Sequence, residues 1–154
     1  MLRPGTEAPA FEAMLHTGEK FSLTATLGRQ HLVLFFYPKD FTYGCTVEVC
    51  SFRDHFDELK ASNTALLGVS SDTLEQHRDF ASKHRLPFPL VADPGQVLAG
   101  KYDVVGLFGR RSQRVTYVID RLGIIRGAFR HELLFKNHLR DTLQLLKSLD
   151  RESS

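Results

Sequence analysis

The distribution of hydrophobic residues along the chain divides it into alternating strands and helices. His31–Tyr37 is almost wholly apolar, which is typical of a central strand buried on both faces. Pro38 ends this strand because proline has no N–H group for a sheet ladder. Thr64–Ser70 is predicted to be a second buried strand. A helix from about Gly44 to Lys60 is predicted between them, because apolar residues recur there at helical spacing: Val49, Phe52, Phe56 and Leu59.

The same pattern continues through the middle of the chain. Asp72 and Glu75 resemble an N-cap pair for a helix from Thr73 to His84. A short apolar segment at Leu90 and Val91 follows this helix. Beyond it, the sequence predicts a short helix from Gln96 to Tyr102 and a loop containing glycine and arginine from Val104 to Gln113.

Two hairpins and a last helix complete the predicted elements. The segments from Phe11 to Leu15 and from Lys20 to Leu23 flank a polar turn, as do those from Val115 to Asp120 and from Ile124 to Phe129. The closing helix is predicted from about Lys136 to Leu149, with an apolar stripe made of Leu139, Leu143, Leu146 and Leu149.

This order of elements predicts an α/β fold. Helices between buried strands imply parallel crossovers, and the late hairpin adds an antiparallel pair to the same sheet. We therefore expect a thioredoxin-like fold, in which a central mixed sheet is flanked by helices and preceded by an extra N-terminal hairpin. No linker or repeat interrupts the pattern, so a single domain over residues 1–154 is expected.

The composition and net charge of the chain limit the classes of function that it can have. The 154 residues carry a net charge of +2 without a dedicated basic footprint, so we expect no nucleic-acid partner. No apolar run has the length of a signal peptide or a membrane span, so we expect no membrane partner and a cytoplasmic location. Two cysteines do not form a disulfide framework, and their closeness in sequence indicates redox chemistry or metal binding.

Cys45 is the candidate nucleophile. It lies where the apolar strand gives way to the first helix, so unpaired backbone N–H groups and the positive end of the helix dipole favour its thiolate form. Taken alone, a cysteine on an apolar helix stripe is more often a buried, inert residue. The residues around Cys45 reverse that interpretation.

Cys50 follows five residues later, and this spacing has a mechanical consequence. In an intact helix the two residues are separated by ~7.5 Å along the axis and about 140° around it. Disulfide-bonded Cα atoms usually lie within ~4.4–6.8 Å of one another, so a bridge requires the first turns to unwind. A zinc site would need two further ligands, and the seven histidines show no paired spacing near the cysteines.

Three further residues are candidates for the site, each with a simpler alternative. Thr42 can cap the helix, or its hydroxyl can donate to the thiolate or to an oxygen beside it. Pro38 can rigidify the turn and shield the pocket, or simply end the strand. Arg114 begins a predicted central strand; it can be a surface residue, or it can stabilise the thiolate and hold an oxygen-bearing substrate. Glu48, one turn after Cys45, is expected to bond locally or to pair with an arginine.

These residues together resemble a known family. Pro38-x-x-x-Thr42-x-x-Cys45 is similar to the peroxiredoxin active-site motif, and the string from Tyr37 to Asp54 resembles the bacterioferritin comigratory protein branch, also called peroxiredoxin Q. The similarity extends to the strand that follows Arg114 and covers nearly the whole chain. One departure is Tyr43, which stands where the family usually has proline.

The resemblance implies a thiol peroxidase. Cys45 would be the peroxidatic cysteine and Cys50 the resolving one, while Pro38, Thr42 and Arg114 would form the peroxide site. It also implies hydrogen peroxide and organic hydroperoxides as substrates, thioredoxin or a similar dithiol as reductant, and no cofactor or metal. An intramolecular partner for Cys45 removes the need for a second subunit, so we expect a monomer.

Two other functions remain compatible with the residues alone. One is a non-enzymatic thioredoxin-fold module for binding or chaperone activity, whose cysteines are structural. The other is a disulfide oxidoreductase that acts on proteins, although the cysteine spacing is not C-x-x-C.

Overall fold

The structure is a computed structural model that describes residues 1–106, 112–130 and 135–153, excluding the side chains of 135–138 and 153. Within this part of the chain the strands are β1 Glu12–Met14, β2 Lys20–Ser22, β3 His31–Phe36, β4 Thr64–Ser70, β5 Leu90–Ala92, β6 Val115–Ile119 and β7 Ile125–Arg130. The helices are α1 Leu23–Thr26, α2 Tyr43–Asp54, α3 Phe56–Ala61, α4 Leu74–His84, α5 Val97–Lys101 and α6 Phe135–Ser153.

Five strands form the central mixed sheet in the order β5-β4-β3-β6-β7. β3 is parallel to β4 and β4 to β5, whereas β6 is antiparallel to both β3 and β7. β1 and β2 form a separate antiparallel hairpin. The predicted α/β architecture, with an extra N-terminal hairpin, is therefore confirmed.

β3 lies at the centre of the sheet and divides the core in two. All six of its residues are buried, and successive side chains point to opposite faces. Leu32, Leu34 and Phe36 join the core on the side of the N-terminal hairpin and α5. Val33 and Phe35 join the core formed with α2, α4 and α6. The loop that leads into α2 therefore begins at the end of a strand whose side chains are buried in both cores.

The predicted helix from Gly44 to Lys60 is in fact two helices. α2 ends at Asp54 and α3 begins at Phe56, with His55 at φ −114° and ψ 15° between them. The His55 ring lies 3.0 Å from the carbonyl oxygen of Ser51, which would accept the His55 backbone N–H in a continuous helix. The imidazole takes the place of a backbone donor, and the helix breaks without glycine or proline.

The N-cap of α4 also differs from the prediction. Thr73, not Asp72, is the cap: its hydroxyl accepts a hydrogen bond from the N–H of Gln76, and the Gln76 side chain accepts one from the N–H of Thr73. Glu75 has no part in this capping box. The Asp72 carboxylate is buried and has other partners near the start of α2.

The later predicted elements are present with small changes at their ends. The predicted short helix corresponds to α5, and the predicted late hairpin to β6 and β7. Residues 107–111 of the predicted loop lie outside the described part of the chain. Among the described residues, no helix is both long and apolar enough to cross a lipid bilayer.

Candidate active site

Cys45 is the third residue of α2, and its side chain is only 1% exposed. Thr42 occupies the N-cap position, with φ −88° and ψ 151°, and its carbonyl accepts the first helical hydrogen bond from the N–H of Thr46 at 2.9 Å. The N–H groups that precede Thr46, including that of Cys45, have no acceptor within the helix. The predicted position of Cys45 at a helix N-terminus is therefore observed, and its sulfur lies in a field that favours negative charge.

Arg114 lies beside Cys45 because of the register of the sheet. Val115, the first residue of β6, pairs with Phe36, the last residue of β3, so Arg114 reaches the point where β3 ends. Its Nη2 atom lies 3.3 Å from the sulfur of Cys45. Of the two predictions for this residue, the structure supports the fixed guanidinium rather than the surface arginine, since Arg114 is only 6% exposed.

Glu48 orients the guanidinium of Arg114. One turn after Cys45, its Oε1 atom accepts a hydrogen bond of 2.9 Å from Nη1 of Arg114, and both side chains are buried. Burial lowers the pKa of Arg114, but the charges of Glu48 and Cys45 and the hydrogen bonds to them outweigh it and raise that pKa above its ordinary value. The arginine is thus held in its charged form, with one N–H group directed at the sulfur.

Thr42 and Pro38 border the same loop. Neither interpretation of Thr42 is observed: its side chain makes no capping bond, and its hydroxyl donates to the carbonyl oxygen of Lys39 at 2.9 Å rather than to the sulfur. This bond occupies the hydroxyl proton, so toward any further group the Thr42 oxygen can act only as an acceptor. Pro38 is half-buried directly after the last buried residue of the strand segment, Tyr37.

Cys50 lies on the same unbroken helix as Cys45 and is half-buried. Both cysteines are free thiols. Since α2 is helical from Tyr43 through Asp54, the helical separation of ~7.5 Å along the axis applies, and the two sulfurs are not placed for a bridge. The structure brings Arg114 to Cys45, and it keeps Cys50 apart.

A buried polar cluster behind the loop was missed by the sequence analysis. The Tyr37 hydroxyl donates to Asp40 at 2.5 Å, the Asp40 N–H donates to Asp72 at 2.8 Å, and the hydroxyl of Ser70 also donates to Asp72. His77 of α4 lies 2.6 Å from Asp40 through Nδ1. All five side chains are buried, so the turn that leads into α2 is fixed to β4 and α4.

The cluster contains the one described grouping with the geometry of a metal site, namely Asp40, Asp72 and His77, whose ligand atoms lie within 4.8 Å of one another. These atoms already bond to protein groups. Nε2 of His77 faces the carbonyl oxygen of Val91 at 2.9 Å and must carry a proton, since a carbonyl only accepts. The cluster is therefore a hydrogen-bonded support for the active-site loop. No sequence spacing indicated it, because its members come from three separate segments.

A thioredoxin-like sheet that presents an arginine-paired cysteine at a helix N-terminus defines a thiol peroxidase. The chain matches the AhpC/TSA family over residues 4–128. It is 36% identical over 146 residues to the chloroplastic peroxiredoxin Q of Sedum lineare, a match that covers 94% of this chain and 78% of that protein.

Similar solved structures support the same family assignment. The peroxidoxin BcpB of Mycobacterium tuberculosis superposes with a TM-score of 0.89 at 30% identity, covering 96% of this chain and 98% of the other. The peroxiredoxin Q of Xanthomonas campestris gives a TM-score of 0.82 at 31% identity, covering 90% of each chain. The chain belongs to the AhpC/TSA family, within its peroxiredoxin Q, or bacterioferritin comigratory protein, branch. The predicted fold, family and peroxidase activity are confirmed, so peroxide is the substrate and a thioredoxin-type dithiol the reductant.

Proposed function

We propose that Cys45 is the peroxidatic cysteine and Cys50 the resolving cysteine of this peroxidase. The observation that carries the proposal is the 3.3 Å contact between Arg114 and the sulfur of Cys45 at the N-terminus of α2. A guanidinium and the free N–H groups of a first helical turn both stabilise a thiolate. Cys50 lies beyond the first turn of α2, and burial raises the pKa of its thiol despite the opposing charge of Arg53.

In the first step the Cys45 thiolate attacks one oxygen of the hydroperoxide. The S–O bond forms as the O–O bond breaks, the proton of the attacked O–H moves to the departing oxygen, which leaves as water or an alcohol, and the sulfur is left as a sulfenate that takes up a proton from water to become the sulfenic acid. Arg114 and the N–H of Cys45 face the negative charge that develops along the breaking bond. Thr42, whose proton is already donated to Lys39, accepts the hydrogen bond of the peroxide O–H and so orients the substrate.

In the second step the sulfenic acid of Cys45 condenses with the thiol of Cys50. An S–S bond forms and water leaves, after the first turn of α2 has unwound to bring the sulfurs together. A dithiol then reduces the disulfide by exchange and is itself oxidised. Thioredoxin is the donor that the family implies, and both hydrogen peroxide and organic hydroperoxides are proposed as substrates.

Treatment of the reduced protein with one equivalent of peroxide tests these roles. Mass spectrometry is expected to find a Cys45–Cys50 disulfide. Cys45→Ser should abolish the reaction, whereas Cys50→Ser should still reduce one equivalent and leave a trappable sulfenic acid. Equal loss of the first oxidation in both variants would contradict the assignment.

Two rate comparisons complete the test. A stopped-flow titration with peroxide, set beside the rate with a disulfide substrate, distinguishes a peroxidase from a protein disulfide oxidoreductase. A thioredoxin-coupled assay then measures turnover. A faster reaction with the disulfide substrate would favour the oxidoreductase.

We also propose that the protein is a monomer in a reducing, cytoplasmic compartment. Its proposed resolving partner lies on the same helix as Cys45, so resolution needs no second subunit. Two cysteines in a chain of this length do not form the disulfide framework that is typical of secreted proteins. Sedimentation of the reduced and oxidised protein tests the first point, since a stable dimer in both states would contradict it.

A further inference from the structure

Cys50 must lose a proton before it can attack, and its surroundings oppose that loss. Burial raises the pKa of the Cys50 thiol above its ordinary value, Arg53 lowers it, and Asp54 raises it again. The thiol is therefore protonated at neutral pH, while the nucleophile in a thiol–sulfenic acid condensation is the thiolate. The second step of the cycle needs a proton acceptor.

His84, the last residue of α4, lies beside Cys50. Its Nδ1 atom is 3.7 Å from the sulfur of Cys50, and its ring packs edge-on against Phe80 with 4.8 Å between the ring centroids. Burial lowers the pKa of His84, as do the charges of Lys83 and Arg53, against a smaller opposing effect of Asp40. The imidazole is thus neutral at physiological pH and can accept a proton.

The half of α2 that carries Cys50 is attached to α4 at this point. Nη1 of Arg53 donates to the carbonyl oxygen of His84 at 2.9 Å, and Phe52 stacks on Phe35 with centroids 4.5 Å apart. In the first turn of α2, the Tyr43 side chain is 85% exposed, and Arg114 contacts the sulfur of Cys45. In the proposed cycle, unwinding of the first turn brings Cys45 toward Cys50, while the Arg53 and Phe52 contacts keep Cys50 beside His84.

We propose that His84 is the general base of the resolving step and takes the proton of the Cys50 thiol as that sulfur attacks Cys45. The inference rests on the proposed role of Cys50 as the resolving cysteine. The thiol proton passes to Nδ1 of His84, the Cys50 sulfur bonds to the Cys45 sulfur, and the S–O bond breaks. The departing hydroxide receives a proton from the imidazolium and leaves as water. His84 is neutral again at the end, and no other reactant is consumed.

The test is a two-step stopped-flow measurement between pH 6 and 9 on the wild-type protein and on His84→Gln. Glutamine keeps the backbone carbonyl that binds Arg53 but cannot act as a base. His55→Gln is the matched control, because His55 also lies at the end of α2 but bonds to Ser51. Sulfenic acid formation should proceed at the wild-type rate in both variants, which also shows that they are folded.

Disulfide formation should slow in His84→Gln alone, by about 100-fold at pH 7, in the range typical of general base catalysis. The deficit should shrink as the pH rises toward the ionisation of the thiol, and added imidazole should restore part of the rate. Wild-type rates and pH profile in His84→Gln would overturn the inference while leaving the cysteine roles intact. Absence of a Cys45–Cys50 disulfide in the oxidised wild-type protein would instead overturn the proposed function, and this inference with it.

Discussion

The Nδ1 atom of His77 lies 2.6 Å from Oδ2 of Asp40, a residue 37 positions earlier in the chain, and both side chains are buried. This contact joins helix α4 to the turn from which Cys45 is presented. The other oxygen of Asp40 accepts the hydroxyl proton of Tyr37. The position of the active-site loop therefore depends on a polar pair that lies outside the peroxide site.

Replacement of His77 by leucine should destabilise the protein strongly. The Asp40 carboxyl would lose one of its two side-chain partners without regaining water, and leaving a buried polar group unsatisfied costs about 1–3 kcal/mol, more for a charged group. Urea unfolding of the reduced protein measures the change. Glu75→Gln, an exposed substitution on the same helix, is the control and should change the free energy of unfolding by less than about 0.5 kcal/mol. A loss in His77→Leu no larger than in the control would show that the pair has no structural importance.

Glu48→Gln should slow the first oxidation without preventing it. The neutral amide keeps an oxygen for Arg114 but removes the charge that holds the guanidinium toward Cys45. We expect about a tenfold lower rate constant for sulfenic acid formation, equivalent to ~1.4 kcal/mol in the barrier. Stopped-flow fluorescence with excess peroxide gives this constant. Glu58→Gln, on the exposed face of α3, should react at the wild-type rate; an unchanged rate in Glu48→Gln would mean that Arg114 needs no support from this carboxylate.

Gly68→Ala should destabilise the centre of the sheet. A Cβ atom at this position would lie 2.7 Å from Cζ of Phe35 and 2.8 Å from Cδ2 of Leu90, closer than carbon atoms can approach. Overpacking of this kind typically costs about 1–3 kcal/mol. The matched control is Gly100→Ala in α5, where nothing lies within 4 Å of the added atom and alanine favours the helix. Chemical denaturation should give opposite signs for the two variants, and equal stability would contradict the packing around β3.

The buried His31 should make the stability depend on pH. Its side chain is 2% exposed, and neither ring nitrogen has a hydrogen-bond partner among the described residues. Burial is the largest cause that lowers the pKa of His31 below its ordinary value; Arg121 adds to the effect, and Asp150 opposes it. In the unfolded chain the imidazole binds a proton near pH 6.5, whereas in the folded protein it binds one only at lower pH.

Below about pH 6.5 the unfolded state therefore binds more protons than the folded state, and stability falls as the pH falls. The free energy of unfolding changes with pH by at most about 1.4 kcal/mol per pH unit because of this one group. His31→Phe removes the group, so its free energy of unfolding should decrease less between pH 8 and pH 5 than that of the wild type. Denaturant titrations at both pH values measure the difference. Equal decreases in the free energy of unfolding of the variant and the wild type would show that His31 is not responsible.

The sequence predicted those parts of the molecule that depend on local pattern. The buried strands follow from apolar runs such as His31–Tyr37, and the place of Cys45 follows from the change of pattern after Pro38. The strand pattern left Arg114 open between a surface residue and a partner of Cys45, and the structure supports the second of these. The family motif supplied the candidate roles, which local pattern alone left open.

Features that depend on tertiary neighbours were not predictable in this way. The break at His55 interrupts an apolar stripe that continues unchanged through Phe56, and it arises from a ring that bonds to a backbone carbonyl. Asp72 has the sequence context of an N-cap, but the buried N–H of Asp40 is its partner instead. Nothing in the local spacing distinguishes a carboxylate that caps a helix from one that supports a distant loop.

Because α2 is a continuous helix between its two cysteines, the enzyme itself is exposed to inactivation under oxidative stress. In the proposed cycle a newly formed sulfenic acid persists until the helix opens, and during that interval a second peroxide molecule competes with Cys50 for it. The product of that competing reaction is a sulfinic acid, which ordinary thiols do not reduce. The opening equilibrium of one helical turn therefore sets the peroxide dose above which this enzyme inactivates itself.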